Sequence, residues 1–110
     1  MADPIQKANV HNTAQPAANT NILTSIVLTN APAIIRAEVA MSNAGNFSAV
    51  ITKGGNSQVV TLNAVSGPAL VAGALYIFDV VALFGDTVNF QYSVTGGTIQ
   101  ILRVYEIYGY

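Results

Sequence analysis

Few side chains in this chain could do chemistry, and they do not form a pattern that catalysis requires. The single histidine, His11, lies beside the polar residues Asn12 and Thr13. A general base or a metal ligand needs partners that converge on it, and the neighbouring sequence offers none. We therefore predict no catalytic or metal-binding role for His11.

The acidic residues and the lack of cysteine lead to the same prediction. The five acids are Asp3, Glu38, Asp79, Asp86 and Glu106. Glycoside chemistry requires two carboxyl groups that converge in a cleft, and nothing in this scattered set promotes such a pair. Gly85-Asp86 fits a turn better than a calcium site, because calcium needs several more oxygen ligands. The chain has no cysteine, which excludes disulfides and thiol chemistry. We predict no enzyme, no cofactor and no metal.

The composition directs attention from chemistry to the surface. Hydrophobic residues make up 52% of the chain and charged residues only 8%, whereas a soluble domain carries about 25% charged residues. Such a chain must cover its surface with Asn, Thr, Ser, Gln and Gly, or bury it against neighbours. The net charge of −1 and the four scattered basic residues make nucleic-acid binding a poor hypothesis.

The hydrophobic pattern predicts an all-β fold. Short apolar or alternating segments recur about every 8–12 residues, between turn signals. The predicted strands are Ile22 to Thr29, Ala33 to Met41, Phe47 to Lys53, Ser57 to Leu62, Leu75 to Ala82, Thr87 to Val94 and Thr98 to Tyr108. Gly54-Gly55 predicts a hairpin between two of them. We expect an antiparallel, jelly-roll-like β-sandwich of seven or eight strands over residues 21–110.

The first 20 residues differ from the rest of the chain. Asn, Ala, Gln and Thr dominate from Met1 to Thr20, and there is almost no periodicity. We predict an extended N-terminal arm with Ile5 and Val10 as its apolar anchors. Two interpretations stay open: a frayed tail, or an arm that orders against a neighbouring subunit. The arm lacks the apolar core of a signal peptide, so we expect no secretory leader.

A membrane span is the rival interpretation of one apolar segment. Ala69 to Phe84 is strongly apolar, but it is about 16 residues long, short of the roughly 20 that a helix needs to cross a bilayer. It also contains Gly73 and Asp79 and has no basic flanks. We predict a buried strand pair, or a strand plus a loop, here and no membrane span.

Two predicted strands are apolar on both faces, which a single sandwich core does not explain. An outer strand of a sandwich buries one face only, yet Leu75 to Ala82 and Ile99 to Tyr108 carry apolar residues on both. A neighbouring subunit would bury the second face; a barrel with an overhanging loop or arm is the alternative. The predicted interface residues are Leu75, Ile77, Ile99, Ile101, Tyr105, Ile107, Tyr108 and Tyr110. We place Ile99, Ile101, Tyr105 and Ile107 on one common face.

The C-terminal half resembles small viral and phage virion proteins of the jelly-roll type. The resemblance rests on Leu75-Tyr76-Ile77-Phe78-Asp79-Val80, on Gly85-Asp86-Thr87-Val88-Asn89-Phe90 and on Ile101-Leu102-Arg103-Val104, and it covers roughly residues 70–110. More distantly, the segment is similar to the trimeric C1q and tumour-necrosis-factor jelly rolls. The resemblance implies a trimer or another closed ring with a structural role on a particle surface.

Three functions follow as hypotheses. The leading one is a virion structural protein, a capsid decoration or minor coat subunit that is made in the host cytoplasm. Its partners would be further copies of itself, with a trimer favoured, and other capsid or coat proteins. The second is an extracellular fibre or pilus-like subunit that polymerises by donating its N-terminal strand. The third is a carbohydrate-binding, lectin-like module that uses the C-terminal tyrosines.

Overall fold

The computed structural model describes residues 4–27, 33–63, 68–82 and 87–107, and this part of the chain is all β. Eight strands follow one another: β1 (Ile5–Ala14), β2 (Ile26–Val27), β3 (Ala33–Met41), β4 (Phe47–Lys53), β5 (Asn56–Thr61), β6 (Tyr76–Ala82), β7 (Thr87–Tyr92) and β8 (Thr98–Ile107). The predicted fold class, an antiparallel β-sandwich with seven or eight strands, is confirmed with eight.

The strands form two four-stranded sheets. Sheet A has the order β1-β8-β3-β6, and sheet B has the order β2-β7-β4-β5. All strand pairs are antiparallel. The chain crosses between the sheets after every strand except β4, which continues into β5 of the same sheet. This is the strand order of an eight-stranded jelly roll.

The β4–β5 hairpin forms at the predicted glycine pair. Lys53 pairs with Asn56 across a two-residue turn. Gly54 and Gly55 have φ angles of 60° and 84°, and a type I′ turn requires positive φ at both central residues. Glycine adopts this conformation without a steric penalty, which is why the sequence signal was reliable here.

The core lies between the sheets and is centred on stacked aromatic rings. The ring of Phe47 on β4 lies 5.2 Å from that of Phe90 on β7 and 5.9 Å from that of Phe78 on β6. Phe47 and Phe90 have no exposed surface. The stack therefore joins sheet A to sheet B, and burial of such rings supplies a large share of the driving force for folding.

Most of the described part of the predicted arm is a strand of the sandwich. Residues Ile5–Ala14 form β1, which pairs with β8 at the edge of sheet A. Val10 packs against the core, whereas Ile5 is 42% exposed. The Nζ atom of Lys7 lies 3.1 Å from Oε1 of Glu106, whose side chain is fully buried. The arm is thus extended, as predicted, and it pairs with a strand of its own chain.

An irregularity in β8 changes the predicted face of one residue. Met41 pairs with Ile99, whereas the preceding Ala40 pairs with Ile101, so Gln100 is an extra residue in β8 at this point. A bulge of this kind reverses the side on which the following residues lie. Ile99 is consequently buried in the core, at 1% exposure, and the prediction that it shares a face with Ile101 is wrong.

Candidate interaction surface

The outer face of sheet A is the surface on which the predicted interface residues meet. Alternation along each strand sends one set of side chains into the core and the other set outward. The outward side chains of β3, β8 and β6 are Ile34, Arg36, Glu38, Ala40, Ile101, Arg103, Tyr105, Ile107, Ile77, Asp79 and Val81. This face mixes aliphatic residues with four charged residues, and we call it the sheet A face.

Four of the predicted interface residues lie on the sheet A face. They are Ile77, Ile101, Tyr105 and Ile107. Leu75 directly precedes β6 and is 51% exposed, so it borders this face. Ile99 lies in the core, as described above. Tyr108 and Tyr110 lie outside the described residues.

The four charged side chains of the face are arranged in two ion pairs side by side. Arg36 on β3 donates two hydrogen bonds to Asp79 on β6, from Nε to Oδ1 at 2.8 Å and from Nη2 to Oδ2 at 2.9 Å. Glu38, two residues along β3, has its Oε1 at 2.9 Å from Nε of Arg103 on β8. This second pair is an ion pair without the alignment of a hydrogen bond, because no acceptor lies in line with the Nε–H of Arg103.

We call Arg36, Asp79, Glu38 and Arg103 the quartet, and their charges neutralise one another. The hydrogen bonds from Arg36 hold the pKa of Asp79 below its usual value, against the opposing effect of partial burial. The same pair raises the pKa of Arg36, first through the hydrogen bond and then through the charge of Asp79. Two cations and two anions therefore lie in the middle of the sheet with no net charge. A partner surface would meet no uncompensated charge at this point.

Aliphatic side chains lie on both sides of the quartet. Val81, Ile34 and Ile107 are cross-strand neighbours on β6, β3 and β8, so they form one row across the sheet. On the other side, Ile77 is the neighbour of Glu38, and Ile101 is the neighbour of Ala40. Val81 is 68% exposed and Ile77 is 57% exposed, so a large part of this apolar area faces solvent in the isolated chain.

A shallow depression on the face is too small for a typical ligand site. Its volume is about 180 Å³, and its lining residues are Pro4, Arg36, Glu38, Tyr105 and Ile107. Small-molecule sites usually enclose about 300–1,000 Å³. Its two charged lining residues, Arg36 and Glu38, already have partners in the quartet.

The predicted interface set leaves out the large aliphatic members of this face Ile34 and Val81, as well as Ala40 and the four charged residues. Ile34 and Val81 could have been found from the period of two. Ile34 has the same parity as Arg36 and Glu38 on β3, and Val81 has the same parity as Ile77 and Asp79 on β6. In the predicted strand Leu75 to Ala82, Val81 lies four positions after Ile77, so the alternation alone places both on one face.

His11 lies apart from the acidic residues in the described part of the chain. His11 lies exposed on β1 with Ile101 as its neighbour on β8. Within the described ranges, no three His, Cys, Asp or Glu side chains come together in a way that could hold a metal ion. No helix long and apolar enough to cross a membrane occurs among the same residues. Gly85-Asp86, the predicted turn, lies outside the described residues.

The fold and the surface together define a class of protein, a β-sandwich of jelly-roll order that presents a neutral, largely aliphatic sheet face. No protein-family model, no curated protein and no solved structure matches the chain.

Proposed function

We propose that this protein is a structural subunit that assembles with copies of itself through the sheet A face, as a decoration or minor coat protein of a virus particle. The observation that carries the proposal is the composition of that face. Exposed aliphatic side chains surround four charged groups that are already paired with one another.

Burying the sheet A face gains free energy from its aliphatic side chains and loses free energy from its charged ones. Fully burying a Val or Ile side chain stabilises an interface by about 1.5–3 kcal/mol, so the exposed parts of Val81 and Ile77 each offer roughly 1–2 kcal/mol. Burying an unpaired charge would cancel that gain, whereas a pair that enters the interface together loses much less. Pairing within the quartet thus lowers the free-energy cost of burying the centre of the face.

The setting of the proposal, a virus particle, is supported by the fold and by the composition. Jelly rolls are common in capsid proteins, although lectins and cupins use them too. A subunit that is surrounded by neighbours has less surface to keep in water, which agrees with the 8% of charged residues. Since a fold alone does not establish a function, the particle surface stays a proposal with its own test.

The two alternatives from the sequence have less support. Strand donation would require β1 to leave β8 of its own chain, where Val10 packs against the core and Lys7 pairs with Glu106. A lectin site built on the C-terminal tyrosines depends on Tyr108 and Tyr110, which lie outside the described residues. On the sheet A face, by contrast, exposed aliphatic side chains around paired charges support assembly with further copies of the chain.

The assembly proposal is tested by two matched substitutions. Val81→Lys places a charge in the aliphatic row of the sheet A face, and Val27→Lys makes the same change on β2 of sheet B, at a similar exposure of 61%. We expect the unmodified protein to form closed oligomers through the sheet A face, with trimeric units favoured, in size-exclusion chromatography with light scattering. Val81→Lys should weaken association at least tenfold, and Val27→Lys should not.

Two results would contradict the assembly proposal. One is a monomer at micromolar concentration for the unmodified protein, and the other is equal dissociation by both substitutions.

The virus setting is tested separately by the gene neighbourhood and by mass spectrometry of purified particles. Capsid and portal genes alongside, together with the protein in the particles, support it. Particles that lack the protein contradict it.

A further inference from the structure

The second feature that points to an interaction is the outer edge of β5, with which no other strand of the described residues pairs. Each sheet has two edge strands, β1 and β6 in sheet A and β2 and β5 in sheet B. An edge strand presents unpaired N–H and C=O groups that can pair with another chain, and proteins usually protect such edges.

Two of the four edge strands, β1 and β6, carry a recognisable protective feature, and β5 does not. β1 has a register shift between Gln6 and Ala8 and a positive φ of 47° at Asn12. β6 carries the charged side chain of Asp79. β5 is six residues long and has no charge, no proline and no break in its register with β4.

The hairpin geometry determines which backbone groups of β5 are free. Lys53 and Asn56 flank a two-residue turn, so they form a hydrogen-bonded pair. Because hydrogen-bonded and non-bonded pairs alternate, the N–H and C=O groups of Gln58 and Val60 also point toward β4. Leu62, two residues after Val60, continues this alternation: its N–H donates a hydrogen bond to the carbonyl oxygen of Phe47 on β4, at 2.8 Å. The groups of Ser57, Val59 and Thr61 therefore point away from β4.

We propose that the β5 edge pairs in antiparallel fashion with β5 of a second copy, with Val59 opposite Val59 of that copy on a two-fold axis. In this register Ser57 lies opposite Thr61 of the second copy. All the outward-pointing backbone groups of Ser57, Val59 and Thr61 then have hydrogen-bonding partners. The two B sheets become one sheet of eight strands.

The side chains of β5 favour the same register. Val59 is 57% exposed, so the pair brings two exposed valines together at its centre. The hydroxyls at both ends of β5 are tied to β4: Ser57 Oγ lies 2.7 Å from Thr52 Oγ1, and Ser48 Oγ donates to Thr61 Oγ1 at 3.4 Å. β5 carries no charge, so pairing places no like charges opposite one another. The β5 edge lies in sheet B, so association through it does not require the sheet A face.

Cysteine crosslinking tests the register directly, because the chain has no cysteine of its own. In Val59→Cys the two Cα atoms would lie about 5.5 Å apart, within the range of disulfides. In the control, Gln58→Cys, the two positions are offset by two residues and lie about 8 Å apart, which is too far. Under mild oxidation we expect a covalent dimer from Val59→Cys and none from Gln58→Cys. Crosslinking of both variants, or of neither, would overturn the proposal.

A charge-exchange experiment gives an independent result. Both variants are made in the Val81→Lys background, so that association through the sheet A face is already weakened at least tenfold. Val59→Lys and Val59→Glu should each abolish the remaining dimer, and an equimolar mixture should restore it, because the two side chains face each other across the axis. Asn56→Lys, at the end of the strand, is the control that should keep the dimer. A mixture that stays monomeric would overturn the two-fold register and leave the sheet A proposal unaffected.

Discussion

The ion pair between Lys7 and Glu106 offers the sharpest test of how β1 is held in the sandwich. The side chain of Glu106 is fully buried, and that of Lys7 is 20% exposed. Lys7→Met keeps most of the aliphatic stem and removes the charge. The buried carboxylate then loses its cation, and breaking a buried pair in this way destabilises a protein by about 3–5 kcal/mol. Glu106 has further interactions besides Lys7, so we expect the lower end, about 3 kcal/mol.

This change is large enough to measure without ambiguity. A domain of this size loses about 4 °C in Tm for each 1 kcal/mol, so Lys7→Met should lower the Tm by about 12 °C. Urea unfolding gives the free energy directly, with the slope of the transition as a check that the unfolded state is unchanged. Hydrogen exchange should show the loss of protection first in the β1 amides, because among the described strands β1 pairs with β8 alone.

The double mutant separates the ion pair from general packing. Glu106→Gln should cost less than Lys7→Met, since the cation that remains is partly exposed and an amide oxygen can still accept its hydrogen bond. Lys7→Met combined with Glu106→Gln should recover part of the loss, which gives a coupling energy of at least 1 kcal/mol. Purely additive effects, or a Lys7→Met variant within about 0.5 kcal/mol of the unmodified protein, would show that the pair does not anchor β1.

Three further predictions concern the core, a tight contact and the ion-pair quartet. Phe47→Ala should cost about 3–5 kcal/mol in urea unfolding, because it removes the middle ring of the stack. Gly45→Ala should cost about 1–3 kcal/mol in the same assay, since its Cβ would lie 2.9 Å from the ring of Tyr92. The pKa of Asp79 is lowered below 3.8 by Arg36, so its contribution is complete above about pH 5 and is lost as the pH falls through the folded-state pKa. The stability difference between the unmodified protein and Asp79→Asn should accordingly shrink toward pH 2.5, and a difference that grows there would contradict this sign.

The regular strands could be predicted from sequence because they obey the period of two. Ala33–Met41 and Phe47–Lys53 have the predicted bounds, and Thr98–Ile107 agrees as far as the structure describes it. In Ala33–Met41 and Phe47–Lys53 a continuous apolar set faces the core, and Pro32, Gly54 and Gly97 each lie next to one end of one of the three strands. Local sequence was therefore sufficient to identify these elements.

β1 could not be recognised as a strand of the sandwich because its pairing is non-local. Its register shift next to Lys7 and the positive φ of Asn12 interrupt the alternation that marks a strand. Much of its stability comes from backbone pairing with β8, about 100 residues away in sequence, which no local pattern encodes. The bulge at Gln100 is a similar case, and it moved Ile99 from the outer face into the core.

The low charge content gains a more specific explanation from the structure. Six of the nine charged residues lie in sheet A as three pairs: Lys7 with Glu106, Arg36 with Asp79, and Arg103 with Glu38. Charges that pair within one sheet contribute little to repelling a second copy of the chain. A monomer usually keeps its surface charges free to interact with water and to oppose association. The placement of the charges, and not only their small number, therefore supports assembly through the sheet A face.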